Sequence, residues 1–123
     1  MPGVRHWHYM LRGVPDAYAD ARSSAPRTLD TLRKGGALYA RHCARCHGAS
    51  GYGVQDDRQS LLPSPALLAF LIQKPIAVDE YLLWSISEGG AAFDSPMPAF
   101  RDVLSREEIW QIVAYMRAGF PSP

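Results

Sequence analysis

The chain has 123 residues, of which 47% are hydrophobic and 20% charged, and its formal net charge is +1. A chain of this length is expected to form one domain with a real core. The near-neutral charge argues against a nucleic-acid-binding protein, which needs a basic surplus. No apolar run approaches the roughly 18 residues that a membrane-spanning helix requires, so no membrane span is predicted in this chain.

The small net charge conceals an asymmetry along the chain. Residues 1–45 carry eight basic and three acidic side chains, whereas residues 46–123 carry five basic and nine acidic ones. Such a dipole orients a protein toward a charged partner during encounter. The alternative interpretation is solvated charge scattered over the surface.

Residues 1–27 show no sustained helical or strand period and contain Pro15 and Pro26. This pattern predicts an extended N-terminal arm ahead of a domain formed by residues 28–123. The arm contains an aromatic and apolar cluster that is costly to expose: His6, Trp7, His8, Tyr9, Met10 and Leu11. We therefore expect the cluster to be buried, against its own domain, a partner subunit or a second copy.

Two helices are predicted in the first half of the domain. The first covers about residues 28–42, because Leu32, Gly35, Tyr39 and Cys43 recur at helical spacing. The second starts at Ser64-Pro65, with Ser64 as N-cap and Pro65 at the first helical position, and ends near Lys74-Pro75.

Two further helices are predicted in the second half. The third covers about residues 79–88 and stops at Gly89-Gly90. The last begins at Ser105, which forms a capping box with Glu108, and Leu104 can pack on Ile109 as a hydrophobic staple. Its predicted buried face consists of Ile109, Ile112, Val113 and Met116.

No segment alternates with a period of two, so the predicted fold class is all-α, with about four short helices and long irregular connections. Loops of this length would leave a small domain without enough core unless a large group filled its centre.

The segment Cys43-Ala44-Arg45-Cys46-His47 has the C-x-x-C-H spacing of covalent haem attachment. Cys43 and Cys46 would form thioethers with the haem vinyl groups, and His47 would bind the iron from the proximal side. A structural zinc site needs four ligands, but the sequence has neither a second Cys pair nor an H-x₃₋₅-H pattern. A thioredoxin-like redox pair needs a βαβ context, which the sequence lacks.

Met97 is the best candidate for the sixth iron ligand, because Pro96 and Pro98 hold the flanking backbone in an extended loop. The alternative is that Met97 only fills a gap in the loop. Met1 and Met10 lie in the arm, and Met116 lies on the predicted buried face of the last helix, where methionine usually packs in the core.

From about Thr28 to Phe120 the chain resembles a bacterial class I cytochrome c. The resemblance is carried by the C-x-x-C-H motif, by Met97, and by the Glu-Glu-Ile-Trp-Gln-Ile-Val-Ala-Tyr run of the last helix. It implies N-terminal and C-terminal helices that cross beside the haem, with Gly35 and Tyr39 packed against Ile112 and Tyr115.

The resemblance also implies a proline whose carbonyl accepts the proximal imidazole N–H, which orients the ring. Pro63 is the preferred candidate, and Pro65 the alternative. Tyr52, Arg58 and Trp84 are candidate donors to haem propionates, although core packing explains Trp84 equally well. His6, His8 and His42 are interpreted as solvated surface histidines rather than iron ligands.

The sequence therefore predicts a protein that transfers single electrons through one covalent haem c and is not itself an enzyme. Three hypotheses remain: a free periplasmic carrier, the cytochrome subunit of a dehydrogenase or oxidase, and a haem sensor or peroxidatic enzyme with a displaceable sixth ligand. The expected partners are redox proteins, an electron donor and an acceptor, with a subunit or second copy possible at the arm. The N-terminus lacks the apolar segment of a secretory signal, so export implies that a signal was removed.

Overall fold

The computed structural model describes residues 4–53 and 67–122. Within these ranges the protein has six α-helices and no strand, which confirms the all-α fold class. The helices are α1 (Val4–Arg12), α2 (Leu29–His42), α3 (Ala44–His47), α4 (Leu68–Leu71), α5 (Asp79–Glu88) and α6 (Arg106–Arg117). A 3₁₀ turn, Ala91–Phe93, follows α5.

Helices α2 and α6 start where the sequence predicts, each at a capping side chain. The Thr28 side chain accepts a hydrogen bond from the Thr31 N–H at the start of α2. At the start of α6, Ser105 and Glu108 form the complete capping box. The predicted inner face of α6 is buried throughout, as are Leu104 and Ile109, the two residues of the predicted staple. Local capping chemistry therefore fixes both helix starts.

Helices α2 and α6 cross in direct contact, as the resemblance implies. A Cβ at Gly35 would lie 2.0 Å from the carbonyl oxygen of Gln111, so only glycine allows the two backbones to approach this closely. One turn later the Tyr39 ring is 1% exposed, with its centroid 5.6 Å from that of Tyr115 and 5.2 Å from that of Phe120. Ile112 is buried in the same core.

Helix α5 spans the predicted residues 79–88 and is buried over most of its length, from Tyr81 to Ser87. It ends at Gly89, whose φ of +67° is unfavourable for other residues and where a Cβ would lie 2.6 Å from the backbone of Pro98. Arg117 of α6 binds the start of α5. Its Nη2 donates to the Ala77 carbonyl at 3.0 Å and to Asp79 Oδ1 at 2.7 Å.

Helix α4 ends earlier than predicted. It stops at Leu71, and the chain continues in turns in which the Lys74 N–H donates to the Leu71 carbonyl at 2.9 Å. The predicted N-cap Ser64 and first residue Pro65 lie outside the described residues.

The prediction of an extended arm is wrong for Val4–Arg12, which form α1. The arm folds back on α5 through its polar groups. Tyr9 Oη donates to Glu80 Oε2 at 2.8 Å, Tyr18 Oη donates to Glu88, and the Ser23 N–H donates to Asp79 Oδ2 at 2.8 Å. Tyr18 itself is buried in the core.

The expected burial of the aromatic cluster is only partly observed. His6, His8 and Tyr9 are half-buried. The other apolar members are exposed: Trp7 by 53%, Met10 by 61% and Leu11 by 80%. The arm thus covers α5 with one side of α1 and presents the other side to solvent.

Candidate haem site

The C-x-x-C-H segment forms one compact turn at the end of α2. The Cys43 N–H donates to the Tyr39 carbonyl of α2 at 2.8 Å, and the Cys43 carbonyl accepts from the Cys46 and His47 N–H groups at 3.2 and 3.0 Å. Cys43, Cys46 and His47 therefore belong to the same turn.

Two contacts fasten this turn to its surroundings. Tyr39 Oη donates to the Gly48 carbonyl at 2.6 Å, and the Gly53 N–H donates to the His47 carbonyl at 2.8 Å. Gly48 has a φ of +85°, and a Cβ there would lie 2.3 Å from the Gly53 carbonyl oxygen. The turn is thus held by the α2–α6 crossing on one side and by the following glycine loop on the other.

Both thiols are half-buried and neither forms a disulfide. Burial, with a smaller contribution from Cys46, raises the pKa of the Cys43 thiol to about 12. Cysteine pairs that exchange disulfides have lowered pKa values, because the thiolate is the nucleophile. The raised pKa of Cys43 is unlike that of such a pair, and the two free thiols share their turn with a histidine, as thioether attachment of haem requires.

Within residues 4–53 and 67–122, no group of three or more His, Cys, Asp or Glu side chains could hold a metal ion.

Met97 is half-buried in a loop that is fixed to the end of α5. Its carbonyl accepts from the Gly90 N–H at 3.0 Å, and its own N–H donates to Ser95 Oγ at 3.3 Å. Beyond it, the Phe100 N–H donates to the Ile86 carbonyl at 3.1 Å. The loop that presents the thioether is therefore held by backbone hydrogen bonds at both ends.

Sequence reasoning missed Arg5, which lies beside Met97. Its Nη1 is 4.0 Å from Met97 Sδ, its Nη2 donates to the Gly89 carbonyl, and its guanidinium carbon is 5.5 Å from the centroid of the Phe93 ring. Burial lowers the pKa of Arg5. Its Nε is buried without a hydrogen-bond partner in the part of the chain that the structure describes. No local signal could have identified this residue, since 92 positions separate it from Met97.

The predicted propionate donors occupy different environments. Trp84 is 5% exposed, and its ring packs against His8, Tyr81 and Phe93 at centroid distances of 5.7, 6.0 and 5.9 Å. Tyr52 is 61% exposed, with its ring 5.4 Å from that of Phe70. Arg58 lies outside the described residues, as do Pro63 and Pro65, the candidates for the carbonyl that accepts the imidazole N–H.

The three singled-out histidines are not freely solvated, contrary to the sequence interpretation. All are half-buried against aromatic rings. His8 packs on Trp84 and Phe93, His42 lies 5.7 Å from Phe100, and His6 lies 5.6 Å from Trp7, all as ring centroids. Edge-on or tilted contacts with aromatic rings therefore surround all three histidines.

The family model for the cytochrome c oxidase, cbb3-type, subunit III matches residues 30–116. No curated protein matches the chain. No helix among the described residues is long and apolar enough to cross a membrane.

The solved structures that share the fold include two cytochromes cL. The protein from Methylophaga aminisulfidivorans is 22% identical with a TM-score of 0.55, and the match covers 95% of this chain and 68% of that one. The protein from Hyphomicrobium denitrificans is 22% identical with a TM-score of 0.52, and the match covers 95% of this chain but only 58% of that one. Residues 28–123 alone could not supply 95% of this chain, so both alignments extend into the arm.

Proposed function

Because the chain belongs to the family described as cytochrome c oxidase, cbb3-type, subunit III, and is thus a class I c-type cytochrome with covalent haem c, we propose that Cys43 and Cys46 attach the haem and that His47 and Met97 ligate its iron. The protein is an electron-transfer protein. The observation that supports this assignment best is the single turn that carries Cys43, Cys46 and His47, fastened to the α2–α6 crossing through Tyr39.

Each residue has a defined task in this proposal. Cys43 and Cys46 would hold the haem covalently, since addition of a thiol across a vinyl group forms one carbon–sulfur and one carbon–hydrogen bond and requires no oxidant. His47, on the same turn, would bind the iron, and Met97 would supply the second ligand from the loop of Gly90 to Phe100, whose backbone hydrogen bonds fasten it to the end of α5. When bound, the haem iron supplies a one-electron change, and a neutral thioether ligand raises its reduction potential.

His47 and Met97 together leave no coordination position for a substrate, so we assign electron transfer without substrate turnover. The second candidate is a haem sensor or peroxidatic enzyme, which requires Met97 to leave the iron readily. The hydrogen bonds at both ends of the Met97 loop favour the electron carrier over this candidate.

We assign the protein to the periplasm, with redox proteins as electron donor and acceptor, either as a free carrier or as the cytochrome subunit of a respiratory dehydrogenase or oxidase. The family description names an oxidase subunit, and the two structural relatives are cytochromes cL. The chain covers only 58% of the length of the second relative. The partners of those two proteins are therefore only proposals for this one.

Acid-organic extraction of the denatured protein tests the attachment. The haem should stay with the polypeptide, and Cys43→Ala or Cys46→Ala should lose most holoprotein. Free extraction of haem from the native sequence would contradict the assignment.

Absorption spectra of the oxidised protein with added cyanide or imidazole test the axial ligands. The native protein should show a thioether-to-iron charge-transfer band and bind these ligands slowly, whereas Met97→Ala should lack the band and bind them rapidly. Rapid binding by the native protein would favour the sensor or peroxidatic candidate. An unchanged spectrum in Met97→Ala would show that another side chain is the sixth ligand.

A further inference from the structure

Helix α1 is oriented with its polar side toward its own domain. Arg5 binds the Gly89 carbonyl, Tyr9 binds Glu80, and His8 packs on Trp84. A surface helix usually buries its apolar stripe and exposes its polar residues. Here the contacts that hold α1 in place are made by its polar and aromatic side chains instead.

The opposite side of α1 is apolar and exposed. It comprises Val4, Trp7, Met10 and Leu11, with exposed fractions of 66%, 53%, 61% and 80%. Positions 4, 7 and 11 follow one another at helical spacing, and position 10 adjoins them, so the four side chains share one face. We call this face the α1 patch. Single exposed apolar residues are ordinary, but a contiguous group that includes a tryptophan is typical of an interaction site.

The α1 patch lies close to the proposed sixth ligand. Arg5, on the inner side of the same helix, is 4.0 Å from Met97 Sδ. A helix with its side chains is roughly 10–12 Å across, so a protein seated on the patch would be about one helix diameter from the Met97 side of the site.

We propose that the α1 patch is the docking surface for a redox partner protein, whose complementary surface is an apolar area bordered by carboxylates. This proposal rests on the proposed electron-transfer function. Val4–Arg12 contains no acidic residue, and Arg12 is exposed at the C-terminal end of α1. The arm of residues 1–27 carries four basic side chains and two acidic ones. An acidic border is therefore the complementary charge.

The charge and size of the α1 patch favour a redox partner over a second copy of the chain and over a membrane. In a two-fold dimer the same patch would meet itself, and Val4–Arg12 of the other copy would offer no acidic residue to pair with Arg12. A helix lying on a membrane needs a larger apolar face and several basic residues, whereas this patch has four apolar side chains beside Arg12. A small patch suits the transient encounters of redox proteins, which bury less than about 1,200 Å².

Voltammetry of the full-length holoprotein on gold tests the proposal, with a mixed methyl- and carboxylate-terminated alkanethiol monolayer as the partner surface. Wild type should adsorb and exchange electrons rapidly. Trp7→Ser with Leu11→Ser should reduce the exchange rate at least tenfold. The matched control Leu29→Ser removes an apolar side chain that is 78% exposed on α2, and it should change the rate less than twofold.

Three outcomes would overturn the docking surface. The first is equal rates for wild type and the double variant. The second is a dimer in sedimentation that the double variant abolishes, which would assign the patch to a second copy. The third is flotation with phosphatidylglycerol vesicles that depends on the patch, which would assign it to a membrane. Absence of a reversible redox wave from wild type on every monolayer would instead contradict the proposed electron-transfer function.

Discussion

The guanidinium of Arg5 and the sulfur of Met97 lie 4.0 Å apart although they come from opposite ends of the chain. If Met97 ligates the iron as proposed, a fixed positive charge stands next to the ligand. Such a charge disfavours the more positive oxidised state of the iron and therefore raises the reduction potential.

Replacing Arg5 by glutamine should lower the reduction potential, on the order of tens of millivolts, because the nearby charge is lost while hydrogen-bonding capacity is kept. Spectroelectrochemical titration measures the shift. Arg12→Gln removes an exposed charge from the same helix and is the matched control, which should shift the potential much less. Equal potentials for the two variants would show that Arg5 has no electrostatic effect on the site.

Tyr9 makes the attachment of the arm sensitive to alkaline pH. Burial, followed by the hydrogen bond to Glu80 and the charge of Glu80, raises the pKa of Tyr9 from 10.0 to about 12. The folded state keeps the phenol proton at a pH where the unfolded state releases it. The contribution to stability is therefore complete below pH 10 and is lost as the pH rises toward 12.

Wild type should consequently lose more thermal stability between about pH 10 and pH 12 than Tyr9→Phe, which cannot ionise. The difference between the two melting curves, followed by circular dichroism at each pH, isolates Tyr9 from the other tyrosines. Parallel loss of stability in both proteins would show that Tyr9 ionises as readily in the folded state as in the unfolded one.

At the scale of single elements, the sequence predicts best where a helix start or a motif is local. The capping box of Ser105 and Glu108 places α6 correctly, and the helical spacing that starts at Leu32 places α2, whose Thr28 cap is seen only in the structure. The C-x-x-C-H turn is identified because its residues are contiguous. Helix α1 is missed because the helical spacing of Val4, Trp7 and Leu11 lasts for only nine residues, too short a pattern to predict a helix by itself. Only the tertiary contacts with α5 explain why the polar side of α1 faces the domain.

Two neighbouring glycines of α2, Gly35 and Gly36, test how closely the backbones of α2 and α6 must approach. Gly35→Ala and Gly36→Ala gain the same helix propensity, about 1 kcal/mol. A Cβ at Gly35 would lie 2.0 Å from a backbone oxygen, whereas one at Gly36 would lie 2.9 Å from the edge of the Tyr115 ring, a side chain and not backbone.

Gly35→Ala should therefore destabilise the holoprotein by about 1–3 kcal/mol more than Gly36→Ala does. Chemical denaturation, monitored by helical circular dichroism, measures both free energies of unfolding. Similar values would mean that α2 and α6 separate at little cost, in contrast to the close contact seen in the structure.

On the scale of the whole molecule, the arm is an integral part of the fold. It contributes Tyr18 to the core, and its hydroxyl and backbone donors bind Asp79, Glu80 and Glu88 of α5. The sequence could predict that residues 1–27 contain a costly apolar cluster, but not which side of α1 would face the domain, because this depends on where α5 places its carboxylates.

Deletion of residues 1–27 should lower the melting temperature by several degrees, since it removes a buried tyrosine and its hydrogen bonds. Differential scanning calorimetry of the holoproteins measures the change. Ala17→Ser is a suitable control, because Ala17 is exposed and its side chain makes none of these contacts. An unchanged melting temperature after deletion would show that the arm contributes nothing to stability.

The crossing of α2 and α6 joins two ends of the domain, and all of residues 43–105 form the loop between them. Closing a loop of that length costs about 4 kcal/mol in chain entropy. Separation of the two helices would therefore release the whole intervening chain at once, so the amides of the crossing should open only with global unfolding. The amide protons around Tyr39 and Ile112 should exchange with deuterated solvent more slowly than those of α1, and their exchange rate should report the stability of the entire protein.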